Sequence, residues 1–283
     1  MSVKIATIDF HVTSECSQEC PYCWGPQEYE HPVDTGTALR IVSKVKDVGA
    51  RRIVFTGGDP LRRPDIGLLI VRAARIGLEV AVSTTGDELS AEFLSANGGH
   101  IDLISLPLDG STEVVNSRSK EKGHFVAAMA ALARLSSYPE IDVKICTPVT
   151  RHNLADVPNI LKLVEAYARE TQARVFYNVF QAFPRAMFDV DWESLIVSTD
   201  DFARLRRRLG GTDDVKVNLL DHATLDRLYV MVFPDGSLVV PMGAEFRSYG
   251  RFLDVGNLDE VLQRSRFDWE KHLRHSRGWA RRR

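Results

Sequence analysis

Apolar and polar positions alternate along this chain in two rhythms, dividing it into short β-rich runs separated by amphipathic stretches. Residues 5–11, 52–55, 80–83, 103–106, 143–147 and 175–180 are dense in branched side chains and read as strands. Between them, residues 36–48, 65–76, 88–96, 124–135 and 154–168 repeat apolar positions every three or four residues, which predicts helices with one buried face. Asp34 offers a cap oxygen to the first helix and Gly49 a stop, while Gly77 ends the second. Strand–helix alternation predicts a parallel sheet, because parallel neighbours need a crossover and the right-handed βαβ unit is the stable one. Two units are missing from a full eightfold barrel, so the expected fold is an α/β partial (β/α)6 barrel. After Gln181 the rhythm changes. Residues 199–209 predict a helix, residues 228–233 and 237–241 a hairpin about Pro234-Asp235-Gly236, and a last helix starts near Leu258. The expected division is a barrel core over 1–181 and a C-terminal extension over 182–283 that covers the substrate site with its β-hairpin and helices.

Composition narrows the class. With 283 residues, 44% hydrophobic and 26% charged, the chain is long enough for a substantial core. A formal charge of −2 excludes a broadly basic surface, so no nucleic-acid partner is expected. No apolar run approaches the ~18 residues of a membrane span, and the first residues lack the apolar stretch of a signal peptide. The expected location is therefore cytoplasmic, with thiols reduced and no membrane partner. Four cysteines exclude a disulfide scaffold. Three of them, Cys16, Cys20 and Cys23, share one loop just after the first strand.

Their C-x3-C-x2-C spacing brings three soft ligands towards one metal centre. Structural zinc takes four protein ligands, whereas an iron–sulfur cluster can keep one iron open. His11 and Cys146 are available to complete a zinc site, so that reading stays open beside the cluster.

With this loop the sequence resembles the radical S-adenosylmethionine (SAM) enzymes. The resemblance implies that Cys16, Cys20 and Cys23 hold a [4Fe–4S] cluster and that SAM occupies the open iron, to be cleaved reductively to a 5′-deoxyadenosyl radical. Further segments agree in order. Thr56-Gly57-Gly58-Asp59-Pro60 resembles the family's GGEP segment at the methionine amino group, with aspartate for glutamate. Tyr22 takes the aromatic position beside the adenine, and Ser83-Thr84-Thr85-Gly86 resembles the ribose-contact segment. Ser105, Asp109-Gly110, Asn116 and Arg118 resemble the fourth-strand segment, whose serine and arginine reach the SAM carboxylate; an extra Pro107 interrupts its register. The implied cofactor-binding set is Tyr22, Gly57, Gly58, Asp59, Thr84, Thr85, Ser105 and Arg118.

Within the family, the chain resembles the viperin-like branch, which makes antiviral nucleotide analogues. Phe10-His11-Val12-Thr13 before the cluster loop, Val143-Lys144-Ile145 with Asn153, and Val179-Phe180-Gln181 carry this likeness, as do Leu253-Asp254-Val255-Gly256, Phe267-Asp268, Arg277-Gly278 and Trp279. Asn178 stands where that branch has a phosphate-serving lysine. Lys144 and the basic end (Arg274, Arg277, Arg281, Arg282, Arg283) remain as candidate phosphate cations. The resemblance implies hydrogen abstraction from the sugar of a nucleotide or nucleoside, with His11, Lys144, Asn178 and Gln181 as substrate contacts. Cys146 is the candidate hydrogen donor to a substrate radical; the alternative is a small buried hydrophobe. With only Cys146 left over, no auxiliary cluster is expected, and a flavodoxin or ferredoxin is implied as electron donor. The hairpin also resembles the covering segment of peptide-modifying relatives, so a peptide substrate is the alternative enzyme reading. The competing class is a non-enzymatic iron–sulfur or zinc protein.

Overall fold

The computed structural model describes residues 5–25, 31–184, 190–210 and 212–277. Gly278, Trp279, Arg281, Arg282, Arg283 and the side chain of Arg277 lie outside the described residues. Among the described residues ten strands form: β1 Thr7–Thr13, β2 Arg52–Gly57, β3 Glu79–Ser83, β4 Leu103–Pro107, β5 Asp142–Val149, β6 Val175–Gln181, β7 Val215–Leu220, β8 Met231–Val232, β9 Ser237–Met242 and β10 Glu245–Arg251. The first six are those expected from the apolar pattern. Among the described residues no helix is long and apolar enough to cross a membrane. The chain groups into two compact units, one of Met1–Glu15, Gly25–Ser83 and Thr224–Arg283, the other of Cys16–Trp24 and Thr84–Ala223. They interleave along the sequence, and neither begins or ends at 181/182.

In the first unit, β1 lies between β2 and β8 and is parallel to both, and β3 extends the row beyond β2. Ile8 and Phe10 are fully buried on one face of β1, leaving Asp9 and His11 for the other. The Thr35–Asp47 helix buries Ala38, Ile41, Val42 and Val45, and its N-terminus is capped by Asp34 as expected. The register of β1 on β2 shifts between His11 and Thr13, a bulge that redirects the chain into Ser14 and Glu15. The hairpin turns at Gly236, whose φ of +84° suits glycine, and pairs β8 with β9 antiparallel. β10 was not expected. Its sequence, EFRSYGR, is mostly exposed on β9 and carries no apolar alternation.

The predicted last helix becomes two. Leu258–Arg264 ends before Arg266, which adopts φ +53°, and Trp269–Arg277 follows, with Asp268 accepting the Lys271 N–H. This second helix brings His272 into the core as a latch. Its Nε2 accepts the N–H groups of Ala6 (3.0 Å) and Thr7 (3.3 Å), while Nδ1 donates to the Leu228 carbonyl at 2.9 Å. Burial pushes its pKa down to about 4, so the imidazole is neutral.

The second unit is built on β4, β5, β6 and β7, all parallel. The 124–135 helix forms over its full expected span. The 88–96 helix starts later, at Ala91, because Ser90 caps it through the Phe93 N–H. The 154–168 helix occupies Val157–Glu170, with Pro158 in the first turn where its missing N–H costs nothing. β7 was missed because Lys216 and Asn218 dilute its apolar residues.

Candidate functional site

The cysteine loop belongs to the second unit, and side chains far away in sequence hold it. Ser17 Oγ and Gln18 Nε2 both donate to Asp87 Oδ2, at 2.5 and 2.6 Å, while Gln18 Oε1 accepts the Glu121 N–H at 2.9 Å. Thr85 Oγ1 lies 3.5 Å from Ser17 Oγ and accepts the Asp87 N–H. The same threonine's carbonyl contacts His124 Nε2 at 3.1 Å. Thr84, expected with it at the ribose, is buried and uses its hydroxyl to accept the Gly86 N–H.

None of the three loop cysteines is in a disulfide; Cys16 is exposed and Cys20 and Cys23 are partly buried. Cys23 N–H donates to the Cys20 carbonyl at 3.0 Å, and Gln18 N–H donates to Cys16 Sγ at 3.4 Å. Lys120 Nζ donates to Cys20 Sγ at 3.0 Å and sits 5.7 Å from the ring centroid of Tyr22. Burial pushes the Cys20 thiol up to about 11, opposed by the Lys120 charge. Burial also works against that charge, yet Cys20 and Asp109 together hold the Lys120 pKa above the ordinary lysine value. Asp109 is wholly buried, and neither carboxylate oxygen has a hydrogen-bond partner among the described residues. Desolvation raises its pKa to about 6, with Lys120 pulling the other way.

This donor set fits a [4Fe–4S] cluster: three cysteines outside any disulfide on one short loop, with N–H donors aimed at two of the sulfurs. Among the described residues no three His, Cys, Asp or Glu side chains are arranged to hold a single metal ion. A cubane cluster does not need them to be, since each thiolate serves a different iron. Sequence reasoning missed Lys120 and Asp87, because nothing local marks a residue whose partner lies about a hundred or seventy positions away. Arg118, expected at the SAM carboxylate, is exposed and donates to the His152 carbonyl at 3.2 Å.

On the sheet of this unit, register lines up several polar side chains with Phe176 and Pro107 among them. Ser105, Lys144, Phe176 and Lys216 are successive partners across β4 to β7, and one step further Pro107, Cys146, Asn178 and Asn218 follow. Ser105 Oγ is 3.3 Å from Cys146 Sγ. Asn178 is fully buried; its Oδ1 accepts from Asn218 at 2.8 Å, while its Nδ2 has no hydrogen-bond partner among the described residues. Gln181 is engaged elsewhere, donating through Nε2 to the Val197 carbonyl at 3.1 Å.

In the first unit, the end of β2 closes on the end of β1. Gly58 N–H donates to the Thr13 carbonyl at 2.8 Å and Asp59 N–H to the Glu15 carbonyl at 2.7 Å. A Cβ on Gly58 would stand 2.1 Å from the Glu15 oxygen, and Gly57, at φ +137°, would place one 2.2 Å from the Thr13 oxygen. The glycine pair is therefore a steric requirement of this approach. Asp59 is fully buried and accepts the Leu61 N–H at 3.0 Å, which also caps a short helical turn. His11 is buried beside Phe233, ring centroids 5.2 Å apart, and neither ring nitrogen has a hydrogen-bond partner among the described residues. Desolvation pushes its pKa down to about 3, so it is a neutral imidazole with one donor and one acceptor unspent.

Comparison with known proteins bears on the family and the fold. The family model for the radical SAM superfamily matches residues 10–164. Over 95% of its length the chain is 25% identical to an S-adenosylmethionine-dependent nucleotide dehydratase of Lacinutrix mariniflava, spanning 57% of that protein. It is 24% identical, again over 95% of its length, to a protein of the same name from Flammeovirga pacifica, spanning 93% of it. A PqqA peptide cyclase of Gluconobacter oxydans is 31% identical over 54% of the chain, which spans 44% of that enzyme. Among solved structures, Streptococcus suis SuiB bound to S-adenosylmethionine superposes on 97% of the chain with a TM-score of 0.73 at 12% identity, covering 68% of SuiB. Native anSMEcpe with bound AdoMet superposes on 95% with a TM-score of 0.65 at 15% identity, covering 82% of that protein. These likenesses bear out the expected fold class, a parallel-sheet α/β partial barrel.

Proposed function

This chain belongs to the radical SAM superfamily, and we propose that it is a nucleotide- or nucleoside-modifying member that abstracts a hydrogen atom from the substrate's sugar. It is a radical SAM enzyme whose cofactors are a [4Fe–4S] cluster and SAM. The observation that carries the finer reading is similarity along 95% of the chain to two proteins named as SAM-dependent nucleotide dehydratases. Since the chain spans little more than half of the first of these, the activity, substrate and partners are our proposal.

The bound cofactors supply a one-electron reductive cleavage that delivers a 5′-deoxyadenosyl radical. The protein's own part is to hold, orient and shield. Cys16, Cys20 and Cys23 are the cluster ligands, and the Ser17–Asp87–Gln18 bonds keep their loop in one conformation. For SAM we propose Tyr22, Gly57, Gly58, Asp59, Thr84, Thr85 and Ser105. Lys120 is the cation at the cysteine loop, bonded to Cys20, and Arg118, turned to the His152 carbonyl, stays the weaker candidate for SAM. For the substrate we propose His11 as a neutral donor–acceptor pair for a base or hydroxyl, and the unspent amide of Asn178 as a donor. Lys144, with Lys216 on the same register row, is the proposed meeting point for phosphate. Cys146, register partner of Asn178, is the proposed hydrogen donor, and Gln181 is retained as a supporting residue. A flavodoxin- or ferredoxin-type protein supplies the electron.

The second reading is a peptide substrate, favoured by the likeness to the PqqA peptide cyclase. One substrate panel separates the two. Reconstituted enzyme, SAM and a reductant are incubated with cytidine and uridine mono-, di- and triphosphates, free nucleosides, a nucleotide sugar and a peptide pool, and 5′-deoxyadenosine is quantified. At least tenfold stimulation by a nucleotide or nucleoside is the expected result. Stimulation by peptide alone would replace our reading with the second one.

A further inference from the structure

We propose that Lys120 raises the reduction potential of the cluster by donating an N–H···S hydrogen bond to its ligand Cys20. The inference rests on the radical SAM reading of the cysteine loop and adds to it a residue that tunes the centre. Three observations carry it. Lys120 Nζ is 3.0 Å from Cys20 Sγ, a direct contact between a full positive charge and a cluster ligand. The ammonium is also 5.7 Å from the Tyr22 ring centroid, so a second loop side chain holds its position. Finally, the segment bearing Lys120 is fastened at both sides. Its own N–H donates to the Asn116 carbonyl at 3.1 Å, and the next residue's N–H donates to Gln18 Oε1 at 2.9 Å. The side chain thus issues from backbone that is tied to the loop it touches.

Reduction adds one electron to the cluster, and the added charge spreads onto its sulfurs. A donor and a cation at one sulfur stabilise the reduced form more than the oxidised one, so the potential rises. Partial burial strengthens the effect, because the field of the ammonium is less screened there than in water. Cys16, by contrast, is exposed and receives a backbone N–H at 3.4 Å, a weaker influence of the same sign. The expected consequence is a centre within easier reach of a modest electron donor.

The test is an EPR-monitored redox titration of the full-length, anaerobically reconstituted protein, with iron content measured in parallel. Lys120→Met is expected to hold wild-type iron and to be about tenfold less reduced at the same poise, a fall of about 59 mV for one electron. Lys120→Gln, which keeps a donor without the charge, should fall between, and Lys120→Arg should stay near wild type. Lys122→Met removes the same charge from an exposed neighbour and should leave the midpoint unchanged. A Lys120→Met protein with full iron and a wild-type midpoint overturns the proposal, as does an equal shift in Lys122→Met. Should Lys120→Met fail to take up iron, equal midpoints for the Gln and Arg variants overturn it instead. Weakened SAM perturbation of the EPR signal with no change of midpoint would assign Lys120 to SAM and also sink the proposal. Absence of any cluster in the wild-type protein is a different failure, that of the radical SAM reading itself.

Discussion

Gly58 leaves no room for a side chain: a methyl group there would stand 2.1 Å from the Glu15 carbonyl oxygen and 2.4 Å from that of Ser14. Both obstacles are backbone, so Gly58→Ala is expected to cost about 3 kcal/mol of unfolding free energy, the upper end for overpacking, read by urea denaturation. The cysteines give a sharper contrast. Replacing Cys20 with alanine should abolish most iron uptake, whereas Cys146→Ala should leave iron content at the wild-type level, both measured on reconstituted protein. For the substrate, Lys144→Ala should raise KM for a nucleotide at least tenfold with kcat little changed, as expected for loss of phosphate binding without a role in the chemical step. The three cysteines were legible in the sequence because a ligand spacing is local; the glycine pair was marked for approach to a ligand, while its closeness to the Thr13 and Glu15 backbone emerged only in the fold. Lys120 and Asp87 were not legible, since their roles exist only once the chain brings them to a loop built from residues 16–24.

Among the elements, the Trp269–Arg277 helix is tied to the β1 entry through the His272 imidazole, with Ser276 beside it at the Thr7 hydroxyl. His272 satisfies two backbone N–H groups of the β1 entry and the Leu228 carbonyl, and replacement by leucine would leave the buried Ala6 N–H and Leu228 carbonyl unpaired, with the part-buried Thr7 N–H. At about 1–3 kcal/mol for each buried group left unpaired, His272→Leu is expected to lose at least about 2 kcal/mol at neutral pH. The pH dependence has a definite sign. With its folded pKa pushed down to about 4 and the unfolded value at 6.5, His272 binds its proton in the unfolded chain first. Its contribution is therefore complete above pH 6.5 and declines as pH falls towards 4. The stability gap between wild type and His272→Leu should narrow over that window; a gap constant with pH would contradict a neutral latch. Six central strands and the hairpin could be read from apolar alternation because each buries at least one face. β10, exposed on most positions, and β7, diluted by Lys216 and Asn218, carry too little of that signal. The split of the terminal helix escaped for another reason: it hinges on Arg266 at positive φ, which no glycine announces.

At the level of the whole molecule, the family match over residues 10–164 and the partial-barrel likeness agree with what the order of segments implied. Cysteine arithmetic adds a constraint. Three thiols are assigned to one cluster in our reading, and Cys146 is the one cysteine of this sequence left over. The substrate was the least legible property, because the proposed contacts, His11, Asn178 and Lys144, are ordinary residue types whose meaning would come from what they face. The central claim is hydrogen abstraction from a nucleotide or nucleoside sugar, and isotope transfer tests it most directly. The substrate that stimulates turnover is prepared with deuterium on every ribose carbon, and 5′-deoxyadenosine is collected and weighed by mass spectrometry. The account predicts product one mass unit heavier than that formed with unlabelled substrate. Product of unshifted mass from ribose-labelled substrate, under conditions of full stimulation, would contradict it.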